Sequence, residues 1–304
     1  MKILLTGAGG FIGSVLLPLL CRRGHEVTVL CRAPAVPELR RRLAVEQISC
    51  PILEAEPAGW AQAIGGRSFA VCLHLAWVAT PGIYLNSPEN QMFADCTLTL
   101  AERLISNGPV HFLGAGTCIE YAPGQTLPSA ESHTPSGPTS PYAAAKLTTQ
   151  QGLARLAGHA GAGLTWARIF YPYGAGEHSA RTASSFFRTL AAGQPLVLKT
   201  AASQKDFIEI RDVASALAHL SEAGPQGIIN IGTGIPTRIR DLALLAAALS
   251  GANPALVQEA HPAATDPYGF HVADPDKLFA TGWRPSVNLE VGMRRLLAEG
   301  GILS

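Results

Sequence analysis

MKILLTGAGGFIG, residues Met1 to Gly13, decides how the rest of the chain is read. Lys2-Ile3-Leu4-Leu5 lacks the apolar/polar alternation of a half-exposed strand and suits one buried on both faces of a parallel sheet. The run then breaks into Gly7-Ala8-Gly9-Gly10-Phe11-Ile12-Gly13, and Ser14 to Arg23 has the length and character of a helix, closed by Gly24. A strand feeding a glycine turn and then a helix aims backbone amides, and the positive end of the helix dipole, at whatever lies over the turn. Phosphate suits that environment. In the GxxGxxG spacing, Gly7 permits the tight turn, Gly10 lets a pyrophosphate approach the backbone, and Gly13 lets the helix pack close to the strand. A tight strand-to-helix turn without a ligand is the other reading of the same glycines.

Outward from this unit, strands and helices alternate. Glu26 to Cys31 reads as a second strand, Glu38 to Leu43 as helical, and Val45 to Ile48 as a third strand. Ala70 to Leu75 is the fourth strand, ending at Ala76-Trp77. Glu89 to Ser106 is a helix with Leu98, Ala101, Leu104 and Ile105 on one side, and Val110 to Gly114 is the fifth strand. A Pro/Ser/Gly-rich loop from Pro123 to Pro141 leads into a helix from Tyr142 to Ala157, a sixth strand from Leu164 to Ile169 and a seventh from Gly227 to Ile231. The pattern predicts an α/β fold, a Rossmann-type doubly wound parallel sheet with a smaller C-terminal substrate-binding lobe. Residues 1–170, completed by the strand near 227–232, form the dinucleotide-binding domain in this reading. Residues 171–304 form mainly the smaller lobe, with helices near Ser184 to Ala192 and Arg240 to Ser250 separated by short strands and loops, closing over the crevice.

Composition narrows the class. The 304 residues suffice to bury a core, and 47% hydrophobic with 15% charged residues is globular rather than disordered. A net charge of +1 gives no electrostatic case for nucleic acid or an anionic membrane, and Arg40-Arg41-Arg42 reads as a solvated helix face. Glycines interrupt the apolar N-terminus where a signal peptide needs continuity, and no run reaches the ~18 apolar residues of a membrane span. Cys21, Cys31, Cys50, Cys72, Cys96 and Cys118 are scattered without CxxC pairs, which suits reduced thiols and a cytoplasmic location. The nine histidines form no HxxxH or Cys/His cluster, so no metal is expected.

The chemistry concentrates in Ser140-Pro141-Tyr142-Ala143-Ala144-Ala145-Lys146, where Tyr142 and Lys146 stand four apart and emerge on one helical face. A phenol titrates near ~10, and an adjacent ammonium favours the phenolate, so Tyr142 suits an acid or base acting on a substrate hydroxyl or carbonyl. Lys146 supplies the field and holds the nicotinamide ribose. Thr117, just past the fifth strand, is placed to hydrogen-bond the same substrate oxygen; a turn or cap threonine is the alternative.

Taken together, TGAGGFIG, GTCIEY, YAAAK, ARIFYPYG, KDFIEIRDVASAL, NIGTG and GWRPSVNLEVGM resemble an extended short-chain dehydrogenase/reductase, in order and over nearly the whole chain. The resemblance is to the branch acting on nucleotide sugars: epimerases, dehydratases and 4-ketoreductases. It implies that Gly7, Gly10, Phe11, Ile12 and Gly13 line the pyrophosphate, and that Leu75 and Ala76 border the cofactor. It also places Phe170 and Tyr171 on the nicotinamide side. Arg181 and Lys205 receive the substrate diphosphate, unless they are ordinary surface charges. A homodimer through the helices Glu89 to Ser106 and Tyr142 to Ala157 is implied in the same way.

Departures from the family pattern sharpen the reading. Relatives that prefer NAD end the second strand with an acid, where this chain has Cys31 and then Arg32; a guanidinium there favours a 2′-phosphate, hence NADP, with NAD possible. The acid common after the third strand is also missing, since Cys50-Pro51 stands there. Thr117 is followed by Cys118 and Ile119 instead of the Asp-Glu of dehydratases, which disfavours dehydration. Tyr171-Pro172 replaces the usual Asn after the sixth strand. Glu120 occupies an otherwise apolar slot and faces a polar substrate or solvent. The expected function is NADPH-dependent reduction of the 4-keto group of a nucleotide-linked deoxysugar through Tyr142, Lys146 and Thr117. The alternatives are an NAD-dependent nucleotide-sugar epimerase working by transient C4 oxidation and a nucleotide-sensing protein without turnover.

Overall fold

In the computed structural model, which describes residues 1–302, the opening run forms strand β1 (Lys2–Thr6), with Ile3, Leu4, Leu5 and Thr6 fully buried. It pairs in parallel with β2 (Glu26–Cys31) on one side and β4 (Val71–His74) on the other. β2 continues in parallel to β3 (Ile52–Glu54), and β4 to β5 (His111–Thr117). With β6 (Gly163–Ile169) and the strand Gly227–Ile231, the seven-stranded sheet runs Gly227–Ile231, β6, β5, β4, β1, β2, β3. Strand order reverses between β1 and β4, and in such a doubly wound sheet ligands bind outside the carboxyl ends of the strands at that point.

Helices α1 (Gly13–Arg22), α2 (Val36–Val45), α3 (Trp60–Ile64), α4 (Glu89–Ser106) and α5 (Pro141–Ala160) connect these strands. The start of α5 is over-determined. Ser140 accepts a hydrogen bond from the Ala143 amide, Pro141 occupies the first turn, and Gly161 ends the helix in the left-handed conformation. Tyr142 is thereby fixed in the first turn, with Lys146 one turn later.

The third strand is not where the sequence predicts it. Val36, Leu39 and Leu43 keep helical spacing and are buried, Glu38 pairs with Arg41 and Arg42, and α2 therefore runs on to Val45, which is exposed. β3 forms at Ile52–Glu54 instead. Cys50-Pro51 then precede β3 rather than follow it, and the register places Glu54 opposite Cys31. The expected lack of an acid near the end of β3 is thus corrected: Glu54 ends the strand.

The chain divides into two compact units, each built from several segments. Unit 1 comprises Met1–Glu120, Pro138–Arg168 and Ala214–Ile229; unit 2 comprises Tyr121–Gly137, Ile169–Val213 and the described residues from Asn230 onward. The core of unit 1 includes Leu4, Trp60, Phe93, Leu100, Phe112 and Trp166. That of unit 2 includes Phe186, Phe187, Leu242, Ala246 and Met293, with α6 (Thr182–Ala191) and α8 (Ile239–Ser250) among its helices. Where loops and short strands are expected, Ile210–Ala223 is a helix, α7, with Val213, Ala214, Ala216, Leu217, Ala218 and Leu220 all fully buried. Arg211, Ser215, His219 and Glu222 form its less buried side at helical spacing, so the amphipathic signal by which a helix is read was present in the sequence. Leu289–Glu299 is a further helix not expected from sequence. Among the described residues no helix is long and apolar enough to cross a membrane.

Candidate active site

The turn after β1 is closed by its glycines. Gly7 has φ +73°, and a Cβ there would lie 2.7 Å from the Ala76 nitrogen. A Cβ on Gly13 would lie 2.1 Å from the Gly7 carbonyl oxygen. Neither position admits a side chain. The Gly10 amide donates to the Gly7 carbonyl at 3.0 Å, Gly9 and Gly10 are exposed, Phe11 and Ile12 are half-buried, and the first turn of α1 holds no acidic residue. An open, acid-free turn of backbone at a helix N-terminus fits the pyrophosphate of a dinucleotide.

A buried relay joins this turn to the end of β4. His74 is fully buried, and burial together with the Lys146 charge pushes its pKa down to about 3, so it is neutral. Thr97 donates its hydroxyl to the Phe93 carbonyl (2.6 Å) and therefore accepts from His74 Nε2 (2.9 Å). His74 Nδ1 then accepts from the Thr6 hydroxyl (3.0 Å), whose oxygen accepts the amides of Leu75 (3.2 Å) and Ala76 (3.1 Å). One tautomer satisfies every group, and it holds Leu75 and Ala76 against Gly7.

Tyr142 and Lys146 come together as the spacing predicts. Lys146 Nζ donates to the Ala115 carbonyl at 2.7 Å, lies 3.9 Å above the Trp77 ring and 6.0 Å from the centre of the Tyr142 ring. Burial pushes the Lys146 ammonium down to about 7, against the upward pull of the Glu120 charge. The half-buried Tyr142 packs edge-on against Tyr84, ring centres 4.8 Å apart. One buried side chain organises both aromatic neighbours. Asn90 accepts from Trp77 Nε1 (2.8 Å) and donates to the carbonyls of Tyr84 (2.7 Å) and Ser87 (2.9 Å). Sequence reasoning put Trp77 at the end of the fourth strand but missed Asn90 and Tyr84; an Asn in the buried first turn of an otherwise apolar helix face is the signal.

Thr117 is the last residue of β5, not beyond it, and its amide donates to Glu120 Oε1 at 2.8 Å. Glu120 faces neither substrate nor solvent, which corrects the expectation. It is fully buried, paired with Arg168 (2.8 Å) and hydrogen-bonded by Trp166 Nε1 (3.0 and 3.1 Å). Burial pushes the Glu120 carboxyl up, and Arg168 and the amide donors oppose it. All these contacts are donated to it, so they satisfy the carboxylate form.

Arg32 is exposed after β2, and burial followed by the Glu54 charge pushes the neighbouring Cys31 thiol up. In unit 2, Phe170 is fully buried against Tyr121 and His271, so its side chain has no surface for a nicotinamide. Tyr171 is half-buried, its hydroxyl 2.9 Å from His271 Nδ1. Lys205 is no surface charge: it is buried, paired with Asp266 at 2.8 Å and bound to the Tyr268 carbonyl. Arg181 is half-buried at the start of α6, where its charge acts on Glu177. Among the described residues no cluster of His, Cys, Asp or Glu could hold a metal ion.

Comparison with known proteins places the chain in a family. The pattern of the NAD dependent epimerase/dehydratase family matches residues 3–232. UDP-glucose 4-epimerase of Corynebacterium glutamicum is 24% identical, covering 94% of this chain and 91% of its own. dTDP-6-deoxy-L-talose 4-dehydrogenase (NAD(P)(+)) of Kitasatospora kifunensis is 26% identical, covering 97% and 94%. The crystal structure of Thermus thermophilus UDP-glucose 4-epimerase in complex with NAD is similar with a TM-score of 0.80 at 25% identity, covering 98% of each chain. The chain belongs to the NAD dependent epimerase/dehydratase family, whose members are NAD(P)-dependent oxidoreductases or epimerases.

Proposed function

We propose that this member of the NAD dependent epimerase/dehydratase family acts at C4 of a nucleotide-linked sugar, as an NADPH-dependent 4-ketoreductase. The observation that carries the reading is Tyr142 in the first turn of α5 with the Lys146 ammonium one turn behind it, held by a carbonyl and an aromatic face. In this reading the dinucleotide lies along Gly7, Gly10, Phe11, Ile12 and Gly13, flanked by Leu75 and Ala76, with Arg32 at the adenosine ribose and Lys146 at the other. Bound there, it supplies or accepts the hydride. Tyr142 gives its phenolic proton to the sugar oxygen, Thr117 hydrogen-bonds that oxygen, and the Lys146 charge favours the phenolate left behind. Tyr171 borders the nicotinamide, and Arg181 and Lys205 take the substrate diphosphate, Lys205 by exchanging Asp266 for phosphate. The preference for NADPH rests on Arg32. A cytoplasmic homodimer through α4 and α5 completes the proposal.

A second reading, an NAD-dependent 4-epimerase, is favoured by Glu54 opposite Cys31, since a carboxylate there takes ribose hydroxyls and repels a 2′-phosphate. One experiment separates the two. Purified protein is denatured to identify any retained nucleotide, then assayed with nucleoside-diphosphate 4-ketohexoses and hexoses. The reductase consumes NADPH at least about tenfold faster than NADH and loses roughly 10³-fold of its rate in Tyr142→Phe. An epimerase retains NAD and interconverts sugars with no added cofactor. Full activity in Tyr142→Phe removes both readings.

A further inference from the structure

Burying a carboxylate costs several kcal/mol, and an apolar side chain would fill the slot of Glu120 without that penalty. The surroundings are nevertheless built for the charge. Thr117 N and Trp166 Nε1 converge on Oε1, and Trp166 Nε1 and Arg168 Nε on Oε2. A Cβ on Gly116 would lie 2.3 Å from Trp166 Nε1 and 2.8 Å from Glu120 Oε1, so only glycine at that position lets the three groups meet. Trp166 also stands 5.9 Å from Lys146 Nζ, and Lys146 is tied to Ala115, two residues before Thr117.

The groups around Lys146 divide clearly by charge. Tyr142 lies on its own helix, the neutral His74 on β4, the Ala115 carbonyl on β5, Trp166 and Arg168 on β6, and Glu120 in the turn after β5. Among them the negative group is Glu120, and it is the charge that acts on Lys146 against desolvation. Arg168 is directed at Glu120.

We propose that Glu120 is a positioning residue for the reaction: its carboxylate anchors the turn that presents Thr117 and supplies the counter-charge for the Lys146 ammonium beside Tyr142. The inference rests on the reading of Tyr142 and Lys146 as the reacting pair, but its test does not depend on turnover. With Lys2, Lys146, Lys199, Lys205 and Lys277 the chain has five lysines, so ¹³Cε-lysine spectra are simple, and the Lys146 resonance is the one absent in Lys146→Met.

The titration midpoint of Lys146 should fall by about one pH unit or more in Glu120→Gln, the scale expected for loss of a nearby opposite charge, with Lys205 unmoved. Glu120→Leu combined with Arg168→Met replaces the buried pair by apolar groups, a change that proteins often tolerate, and should lower it too. Glu120→Asp keeps the charge but retracts the anchor: its midpoint should stay near that of the unaltered protein while kcat falls about tenfold. A folded Gln or double variant whose Lys146 titrates unchanged overturns the proposal, as does an Asp variant with undiminished kcat. Full activity in Tyr142→Phe would remove the functional reading and leave the midpoint result standing.

Discussion

The molecule buries two lysines, and they are held in opposite ways. In unit 1, Lys146 rests on a backbone carbonyl and the face of Trp77, with no carboxylate within 4 Å among the described residues. In unit 2, Lys205 is paired directly with Asp266 and bound to the Tyr268 carbonyl, with Tyr171 5.5 Å away. A carbonyl and an aromatic ring favour the ammonium but do not neutralise it, so burial prevails and Lys146 can lose its proton near neutral pH. A contact carboxylate makes the other ammonium part of a neutral pair. The first arrangement suits a group whose charge must act on a neighbour; the second suits a charge whose place is fixed, and which changes partner only if a stronger anion arrives.

Replacing each lysine by methionine is the strongest way to break this comparison. Lys146→Met should reduce kcat about 10³-fold, within the range for loss of acid–base support. Lys205→Met should act mainly on KM and leave kcat within about tenfold, as expected where ground-state binding is lost. Steady-state kinetics on the two variants decides; equal losses in kcat would end the distinction.

How much of this was legible in the sequence follows from how local each signal is. β1, the glycine turn and the Tyr142–Lys146 spacing each lie within one short stretch, and each is found where it was read. β3 was displaced because the Glu38 ion pairs extend α2, whereas α7 was missed although Arg211, Ser215, His219 and Glu222 mark a polar stripe at helical spacing. The setting of Glu120 was not legible, since Trp166 and Arg168 lie 46 and 48 residues further on. A faint trace exists: Trp166 and Arg168 share one face of β6, and Gly114 and Gly116 leave room on neighbouring β5. An ordinary surface charge stood as the alternative reading of Lys205 because Asp266 reaches it from 61 residues away.

A smaller effect comes from pH. The pKa of Lys146 is about 7 in the folded chain against 10.5 for an unperturbed lysine. Between those values the unfolded chain holds a proton that the folded chain has released, so stability rises with pH across the window. Below pH 7 the cost of the buried charge is complete; above about 10.5 it is absent. Lys146→Met lacks that cost throughout. Its melting temperature should therefore exceed that of the unaltered protein by several degrees at pH 7, with the gap closing towards pH 10. Parallel curves in calorimetry would show that burial does not govern this lysine.

The Asp266 pair should respond at the other end of the scale, and more weakly. Burial pushes the Asp266 carboxyl up, but its hydrogen bonds with Lys205 and Ser203 prevail and the net shift is downward. A carboxyl lowered on folding adds stability above its unfolded value, near 3.8, and loses it as pH falls through the folded value. Asp266 is partly exposed, so solvent screening limits the pair to about 1 kcal/mol, and Asp266→Asn should cost no more than that at pH 7. The same change releases Lys205 from its neutral pair. If Lys205 exchanges Asp266 for a phosphate, Asp266→Asn should bind a nucleoside diphosphate a few-fold more tightly in calorimetric titration, because the ammonium no longer leaves a carboxylate to reach it. Weaker binding would mean that Asp266 itself holds the ligand, and that the second buried lysine serves only the fold.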